Sequence, residues 1–151
     1  SGQVLQRLLS SSTALVTGAT TMPFDDSIPQ SGEGVQMLTQ AITPKHAADL
    51  LFISHVGMYS PSASGNMGVA LFQDSTANAL AAVACTVNGA NEVFTIPLIY
   101  QMQAGTTSST TFKIRAGHAS GSIAMNGQGG AATRLYGGVA YSGLAITEIF
   151  I

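Results

Sequence analysis

The chain has 151 residues, the length of one domain, and combines 46% hydrophobic residues with only 8% charged residues. Because globular domains carry roughly a quarter charged residues, either neutral polar side chains form the surface or apolar surface is hidden between subunits. The net charge of −2 and the scattered basic residues argue against nucleic-acid binding. Polar interruptions in every apolar run argue against membrane insertion.

The first segment predicts a connector. Leu5, Leu8 and Leu9 share one helical face, so VLQRLL predicts a short N-terminal helical turn, closed by a serine cluster. Ser1-Gly2 resembles the remnant of a cleaved tag. We assign residues 1–22 to an N-terminal connector that leads from an upstream stalk, and residues 23–151 to one β-sandwich domain.

The loop MPFDDSIPQSGEG follows, and its prolines and glycines indicate an ordered segment without regular structure. Its neighbouring Asp25 and Asp26 could hold a calcium ion. Adjacent carboxylates in a proline-bounded loop more often cap backbone amides, which is the alternative interpretation. Further strands are predicted in TALVTG, VQMLTQAI, ADLLFISHVGMY, MGVALFQ, NALAAVACTV, SIAMNG, TRLYGG and GVAYSGLAITEIFI.

The longest alternating pattern runs from Val93 to Ala116. Even positions from Phe94 to Met102 are apolar, and the same alternation returns from Phe112 to Ala116 after a turn of small residues. We expect these two strands to pair as a hairpin. A second sheet must cover their apolar face, because an isolated hairpin is marginally stable in water.

The whole pattern predicts an all-β fold: an antiparallel two-sheet sandwich, jelly-roll-like, with about nine or ten strands. The strand from Ala48 to Tyr59 is apolar on both faces. One face fits a core, and the other calls for a closed homo-oligomer. Glu148 shares the parity of the inward Leu144 and Ile146, so we expect it to pair with Arg115 or Arg134.

No metal or cofactor site is predicted. His46, His55 and His118 are far apart and lack the spacing of metal-ligand pairs. The lone Cys85 lies in a run of small apolar residues, so we expect a buried, inert thiol. The chain also lacks a G-x-S-x-G nucleophile motif.

Four residues are candidates for binding a sugar: Tyr59, Asn66, Asn126 and Tyr136. A flat ring can lie under the apolar face of a sugar while amides bind its hydroxyls. Core or interface packing is the alternative role for each tyrosine. We expect such a site on loops at one end of the sandwich, since loops are free to vary. By composition these loops are Ser60 to Asn66, Asn88 to Asn91 and Asn126 to Ala132.

Several segments resemble a recurring C-terminal domain of bacteriophage tail fibres and tailspikes. They are PFDDSIPQSGEG, LTQAITPKHAADLL, ALFQDSTANALAA, QAGTTSSTTFKIRAG and RLYGGVAYSGLAITEI, which together cover roughly Pro23 to Ile149. The resemblance implies a homotrimeric sandwich at the distal tip of an adsorption fibre on the virion. Such a tip locks three chains together and contacts the host surface. Phe150-Ile151 extends beyond the ending typical of these domains.

Three functions are therefore considered. The first is a non-enzymatic module for trimerisation and attachment to a host surface glycan or protein. The second is part of a polysaccharide depolymerase, in which this domain would serve trimerisation or carbohydrate binding. With only seven acidic residues, no acid and base pair is recognisable. The third is a TNF-like signalling ligand, which shares the architecture.

Overall fold

The computed structural model describes residues 2–129 and 133–151. Within these ranges the chain forms strands and one 3-10 turn at Tyr136–Gly138. The strands are β1 (Gln3–Ser12), β2 (Val16–Gly18), β3 (Val35–Ile42), β4 (Leu50–Pro61), β5 (Gly65–Gln73), β6 (Ala81–Val87), β7 (Phe94–Gln103), β8 (Thr110–His118), β9 (Ile123–Met125), β10 (Gly127–Gln128), β11 (Thr133–Arg134) and β12 (Ser142–Phe150). No helix in the described part of the chain has the length and hydropathy to cross a membrane.

The strands form two antiparallel sheets that pack face to face. In the six-stranded sheet β1, β12, β4 and β7 are successive neighbours, and β9 pairs with the last residues of β4 and is followed by β2. The four-stranded sheet has the order β3-β8-β5-β6, and β10 pairs with β11 separately. The predicted all-β, jelly-roll-like sandwich is therefore confirmed.

The predicted N-terminal helical turn is wrong. Residues Gln3–Ser12 form β1, which pairs with β12 almost throughout and turns Leu8 towards the core. A single helical turn is unstable on its own, whereas the edge of β12 offers a full hydrogen-bonding ladder, so tertiary pairing overrides the local pattern. Residues 3–18 thus contribute two strands to the sheet, and a connection to an upstream fibre stays a prediction.

The predicted hairpin between Val93 and Ala116 is also wrong in its pairing, although both strands are present. β7 pairs with β4 in one sheet, whereas β8 pairs with β3 and β5 in the other. The chain crosses between the sheets after β7, where the amides of Ala104 and Gly105 donate to the carbonyls of Asp49 and Ala47, both at 2.8 Å. The two strands therefore lie in opposite sheets, and β7 lies closest to β6 and β5 of the other sheet.

The core lies between the sheets. On β4 the odd positions Leu51, Ile53 and Tyr59 are fully buried, while Phe52 and Val56 point outward. Burying each large apolar side chain contributes roughly 1.5–3 kcal/mol. A second, smaller cluster lies outside the four-stranded sheet, where residues 19–34 form the covering loop. This loop matches the predicted irregular segment.

Candidate functional site

The three loops selected by composition meet at one end of the sandwich, hereafter the loop end. The Asn91 amide donates to the Pro61 carbonyl at 2.9 Å, and the Gly129 amide donates to Ser60 Oγ at 3.0 Å. Gln128 Nε2 donates to the Asn91 carbonyl at 3.4 Å. Residues 130–132 of the third loop lie outside the described residues. The described residues of the three loops therefore share one end, and a receptor site on them stays a prediction.

The opposite end, the terminal end, holds both ends of the described chain. The Gly2 amide donates to the Phe150 carbonyl at 2.6 Å. β4 starts at Leu50 beside this end and finishes at Pro61 in the loop end. With a rise of roughly 3.3 Å per residue, the two ends are about 36 Å apart.

A groove of about 200 Å³, here called the Phe24 groove, lies on the outer face of β5 and β6 beneath the covering loop. Its lining residues come from that loop and from the two strands: Met22, Pro23, Phe24, Asp25, Ser27, Pro29, Asn66, Met67, Gly68, Ala82, Val83 and Ala84. Asn66 is the second residue of β5. The groove therefore adjoins the loop end.

Three side chains of the Phe24 groove can contact a ligand. The Phe24 ring is 62% exposed. Asp25 Oδ1 accepts hydrogen bonds from the Ser27 hydroxyl and from the Ser27 amide at 2.8 Å, and these two bonds lower the pKa of Asp25. The Asp25 side chain is exposed, and its carboxylate is ionised at neutral pH. Asn66 Oδ1 accepts from the Thr86 hydroxyl at 2.6 Å, which leaves the Asn66 amide nitrogen to donate.

The predicted role of Tyr59 in sugar stacking is wrong, because the ring has no exposed surface. Tyr59 has the inward parity of β4, and its hydroxyl bonds His55 Nε2 at 2.9 Å. His55 Nδ1 in turn lies 2.8 Å from the Gly143 carbonyl. Burial raises the pKa of Tyr59 and lowers the pKa of His55, so both side chains are neutral.

The predicted sugar contact of Asn126 is likewise wrong. Asn126 is fully buried with φ of 64°, and its amide nitrogen donates to the carbonyls of Ser12 and Ala14 at 2.9 and 3.1 Å. Its Oδ1 accepts from the Ser142 hydroxyl at 2.8 Å. Asn126 therefore has a structural role, because its hydrogen bonds join the end of β1 to the start of β12. By contrast, the Tyr136 ring is 77% exposed after β11, and its role in binding stays a prediction.

The predicted inward position of Glu148 is confirmed, but its partners differ. Glu148 is fully buried. Its carboxylate accepts from Gln6 Nε2 at 2.5 Å and from the amides of Lys45 and His46 at 2.6 and 3.3 Å. Backbone amides that approach from a turn are invisible in a parity pattern, so the sequence suggested arginines instead.

The two arginines serve elsewhere. Arg115 donates through its guanidinium to the carbonyls of Glu33 and Gly34, at 2.8 and 2.9 Å, and so holds the end of the covering loop. Arg134 is exposed and lies against Gly138. The predicted pairs of Glu148 with Arg115 or Arg134 are therefore wrong.

Sequence reasoning missed two features. The first is Phe24, although an aromatic residue between a proline and two acidic residues in a loop indicates an exposed ring. The second feature is a cluster of His46, Asp49 and Glu148, whose nitrogen and oxygen atoms all lie within 4.8 Å of one another at the terminal end. Since nearly a hundred residues separate Asp49 from Glu148, no spacing rule could have found it.

Two simpler expectations concern Asp25 and Cys85. Asp25 caps the Ser27 amide, which matches the capping interpretation. The predicted full burial of Cys85 is wrong: the side chain faces the core from β6 but is only half-buried, because β6 is an edge strand. Burial and the nearby Glu92 carboxylate raise the pKa of Cys85, so the side chain stays a thiol at neutral pH.

No protein-family model and no curated protein sequence matches the chain. Among solved structures it is similar to Eiger TNF from S. frugiperda, with 12% identity and a TM-score of 0.55 over 95% of this chain and 93% of that chain. This likeness shows the sandwich fold alone.

Two weaker likenesses carry no argument because of their low TM-scores. One is to a family 35 carbohydrate-binding module from Clostridium thermocellum, with 7% identity and a TM-score of 0.44 over 92% of this chain and 97% of that chain. The other is to the enzymatically active domain of tailspike protein 4 from bacteriophage CBA120, with 16% identity and a TM-score of 0.33 over 79% of this chain and 18% of that chain.

Proposed function

We propose that this chain is the distal attachment module of a bacteriophage tail fibre, binding host surface carbohydrate in the Phe24 groove. The observation that carries the proposal is the groove itself, which combines an exposed ring with an ionised carboxylate and an amide. Sugar sites use such a ring for the apolar face and such polar groups for the hydroxyls. In this role the chain is part of the virion and contacts the outer surface of the host.

The charge of the groove selects the class of sugar. Asp25 is the only charged residue among the described residues that line it, and Asp26 follows directly in the chain. A carboxylate accepts hydrogen bonds from hydroxyl or ammonium groups and repels other carboxylates. The preferred ligands are therefore neutral or amino sugars, and uronic or sialic acids are disfavoured.

The positions of the two ends support a distal orientation. Any segment that precedes β1 enters at the terminal end, beside Phe150, whereas the three loops and Asn66 lie about 36 Å away. A fibre that enters at one end leaves the other end to face the host.

The outer face of the six-stranded sheet supports a homotrimer. Leu9, Val56 and Ile99 on this face are 49%, 50% and 62% exposed. Gly143 and Ala145 form the floor of a trough of about 300 Å³ between β1 and β4. A chain with so few charges can cover this face with two further copies of itself. Three weak sugar sites on one axis would raise avidity by roughly 10² to 10⁴.

We also propose that binding occurs without hydrolysis. A glycosidase needs a carboxylic acid with a raised pKa to protonate the leaving oxygen. In the Phe24 groove the hydrogen bonds from Ser27 lower the pKa of Asp25, which is the opposite of what a proton-donating acid needs. Incubation with bound polysaccharide should therefore release no new reducing ends, and a steady release would favour the depolymerase alternative.

Carbohydrate binding is tested on purified surface polysaccharide and on arrayed neutral, amino and acidic glycans. Phe24→Ala should lower binding to the preferred neutral or amino sugars by at least about fivefold, since truncating an aromatic anchor of a binding site costs about 1 kcal/mol or more. Ile28→Ala is the matched control, because Ile28 is 54% exposed in the same loop but does not line the groove. Equal binding by Phe24→Ala and the parent would contradict the proposal.

The oligomer is tested by light scattering after size exclusion. Val56→Glu combined with Ile99→Glu should convert a trimer into monomers, because each copy would bury two carboxylates where Arg7 is the one basic residue among the described residues that line the trough. Thr39→Glu is the control, since Thr39 is exposed on β3 of the other sheet. A parent chain that is monomeric at micromolar concentration would refute this part of the proposal and leave carbohydrate binding to be judged by its own test.

A further inference from the structure

The cluster at the terminal end brings together one imidazole and two buried carboxylates. His46 Nδ1 and Asp49 Oδ2 are 2.9 Å apart, and both atoms lie within 4.8 Å of a Glu148 oxygen. Asp49 and Glu148 are 1% and 0% exposed, whereas His46 is 56% exposed on the turn before β4. The three residues come from two separate parts of the chain and converge where β12 ends.

The charges of this cluster are not balanced by the described side chains. Within the described ranges the ion pair between His46 and Asp49 is the only one, and no lysine or arginine side chain pairs with either acid. Glu148 accepts hydrogen bonds only from a side-chain amide and two backbone amides. One imidazole and two carboxylates that converge within this distance are ligand types that a divalent cation takes together.

We propose that a divalent transition-metal ion, best matched by zinc, binds His46 Nδ1, Asp49 Oδ2 and a Glu148 oxygen. Zinc takes mixed imidazole and carboxylate ligands at roughly 2.0–2.2 Å, which places two ligands of one ion about 3–3.5 Å apart. At 2.9 Å the hydrogen-bonded His46 Nδ1 and Asp49 Oδ2 are slightly closer than this, so an ion would replace the proton between them and move the two atoms apart by roughly 0.1–0.6 Å. Calcium and magnesium fit less well, because they prefer sets composed entirely of oxygen ligands.

Small side-chain movements complete the site. The half-exposed His46 can shift on its turn, while Glu148 is held on β12 by three hydrogen bonds. A water molecule would take the fourth position, towards solvent. The ion would tie the turn before β4 to β12, and through Gln6 to β1, at the end where a preceding segment joins.

Isothermal titration of the metal-free chain with zinc chloride tests the site. The parent should bind one zinc ion per chain and show a melting temperature that rises with zinc concentration. His46→Gln should bind zinc at least about tenfold more weakly, because loss of even an outer partner of a ligand costs roughly 10- to 100-fold. Asp26→Asn, which removes an exposed carboxylate from the covering loop, should bind like the parent.

The test uses His46 because variants of the buried Asp49 or Glu148 could fail to fold. His46 is exposed enough for His46→Gln to fold, which circular dichroism of the metal-free form checks. Zinc-edge anomalous diffraction should then place the ion between His46 and Glu148. No zinc binding by the parent, equal binding by His46→Gln, or an anomalous peak elsewhere would overturn the proposal.

Discussion

The outer faces of the two sheets both carry apolar side chains but are closed differently. On the four-stranded sheet the covering loop lays Met22 over Ala70 and Phe72, and all three are buried. On the six-stranded sheet Val56 and Ile99 remain at least half exposed. One face is thus covered within the chain, and the other is available to a second copy.

Small residues on the inner strands decide what can lie on each face. An added Cβ at Gly68 would come within 2.9 Å of Met22 Sδ, and one at Gly117 within 2.9 Å of the Met22 backbone nitrogen. The absence of a side chain at these two glycines allows the covering loop to pack closely against the sheet. On the other sheet Gly143 and Ala145 form a similar trough that is open to solvent. Small residues therefore admit a covering segment on one face and leave an open trough on the other.

Met22→Ala should have the largest effect on stability. Truncating a buried methionine to alanine costs about 2–4 kcal/mol, since the cavity under the loop cannot fully collapse. Urea denaturation measures this cost. Phe24→Ala, two residues along but exposed, should change the free energy of unfolding by about 0.5 kcal/mol or less. If both variants lowered the free energy of unfolding by a similar amount, the covering loop would not be a packed layer.

Gly117→Ala should destabilise by about 1–3 kcal/mol, because the new methyl group meets the backbone of Met22 and Gly34. Neither backbone can move without shifting the covering loop. Gly32→Ala is the control in the same loop, where an added Cβ has no neighbour within 4 Å. Thermal unfolding of the two variants should differ clearly, and equal melting temperatures would refute the close approach.

His55 should make the six-stranded sheet sensitive to acid. Burial lowers the pKa of His55 below its ordinary value of 6.5, so the unfolded chain binds the proton more readily. Its contribution to stability is complete above pH 6.5 and is lost as the pH falls towards the lower folded-state pKa. The slope is at most about 1.4 kcal/mol per pH unit. His55→Gln should flatten this part of the curve of unfolding free energy against pH.

Val56→Ala should have the smallest effect on an isolated chain, about 0.5 kcal/mol or less, because Val56 is half exposed. If further copies cover the face, the cost should grow with protein concentration, since association stabilises the folded form. Unfolding measured across a hundredfold range of concentration distinguishes the two cases. A cost that matches Met22→Ala even at the lowest concentration would remove the contrast between the faces.

Strand positions and their inward faces were predictable from the sequence, because alternation with a period of two is a local property. It placed Leu51 and Ile53 together on one face of their strand and Glu148 on an inward face, and all three are fully buried. Turn composition identified the loops that meet at one end. Asn66 was found in this way and lies in the Phe24 groove.

Strand partners were decided only by the tertiary structure. The separation of β7 and β8 into different sheets, and the pairing of β1 with β12, depend on which edges meet after the chain collapses. Local sequence patterns do not contain the information on which strand edges will pair. The same reason explains Tyr59, whose ring the sequence placed at the surface and the fold placed in the core.

The candidate sites differ in the same way. Phe24, Asp25 and Ser27 are neighbours in one loop, so the sequence alone places these side chains close together. The residues of β5 and β6 that complete the Phe24 groove are brought beside them only by the fold. The cluster of His46, Asp49 and Glu148 exists only because β12 runs back beside β4 and carries Glu148 to the turn before it. Side chains so distant in sequence become one site through sheet register, which the sequence alone does not determine.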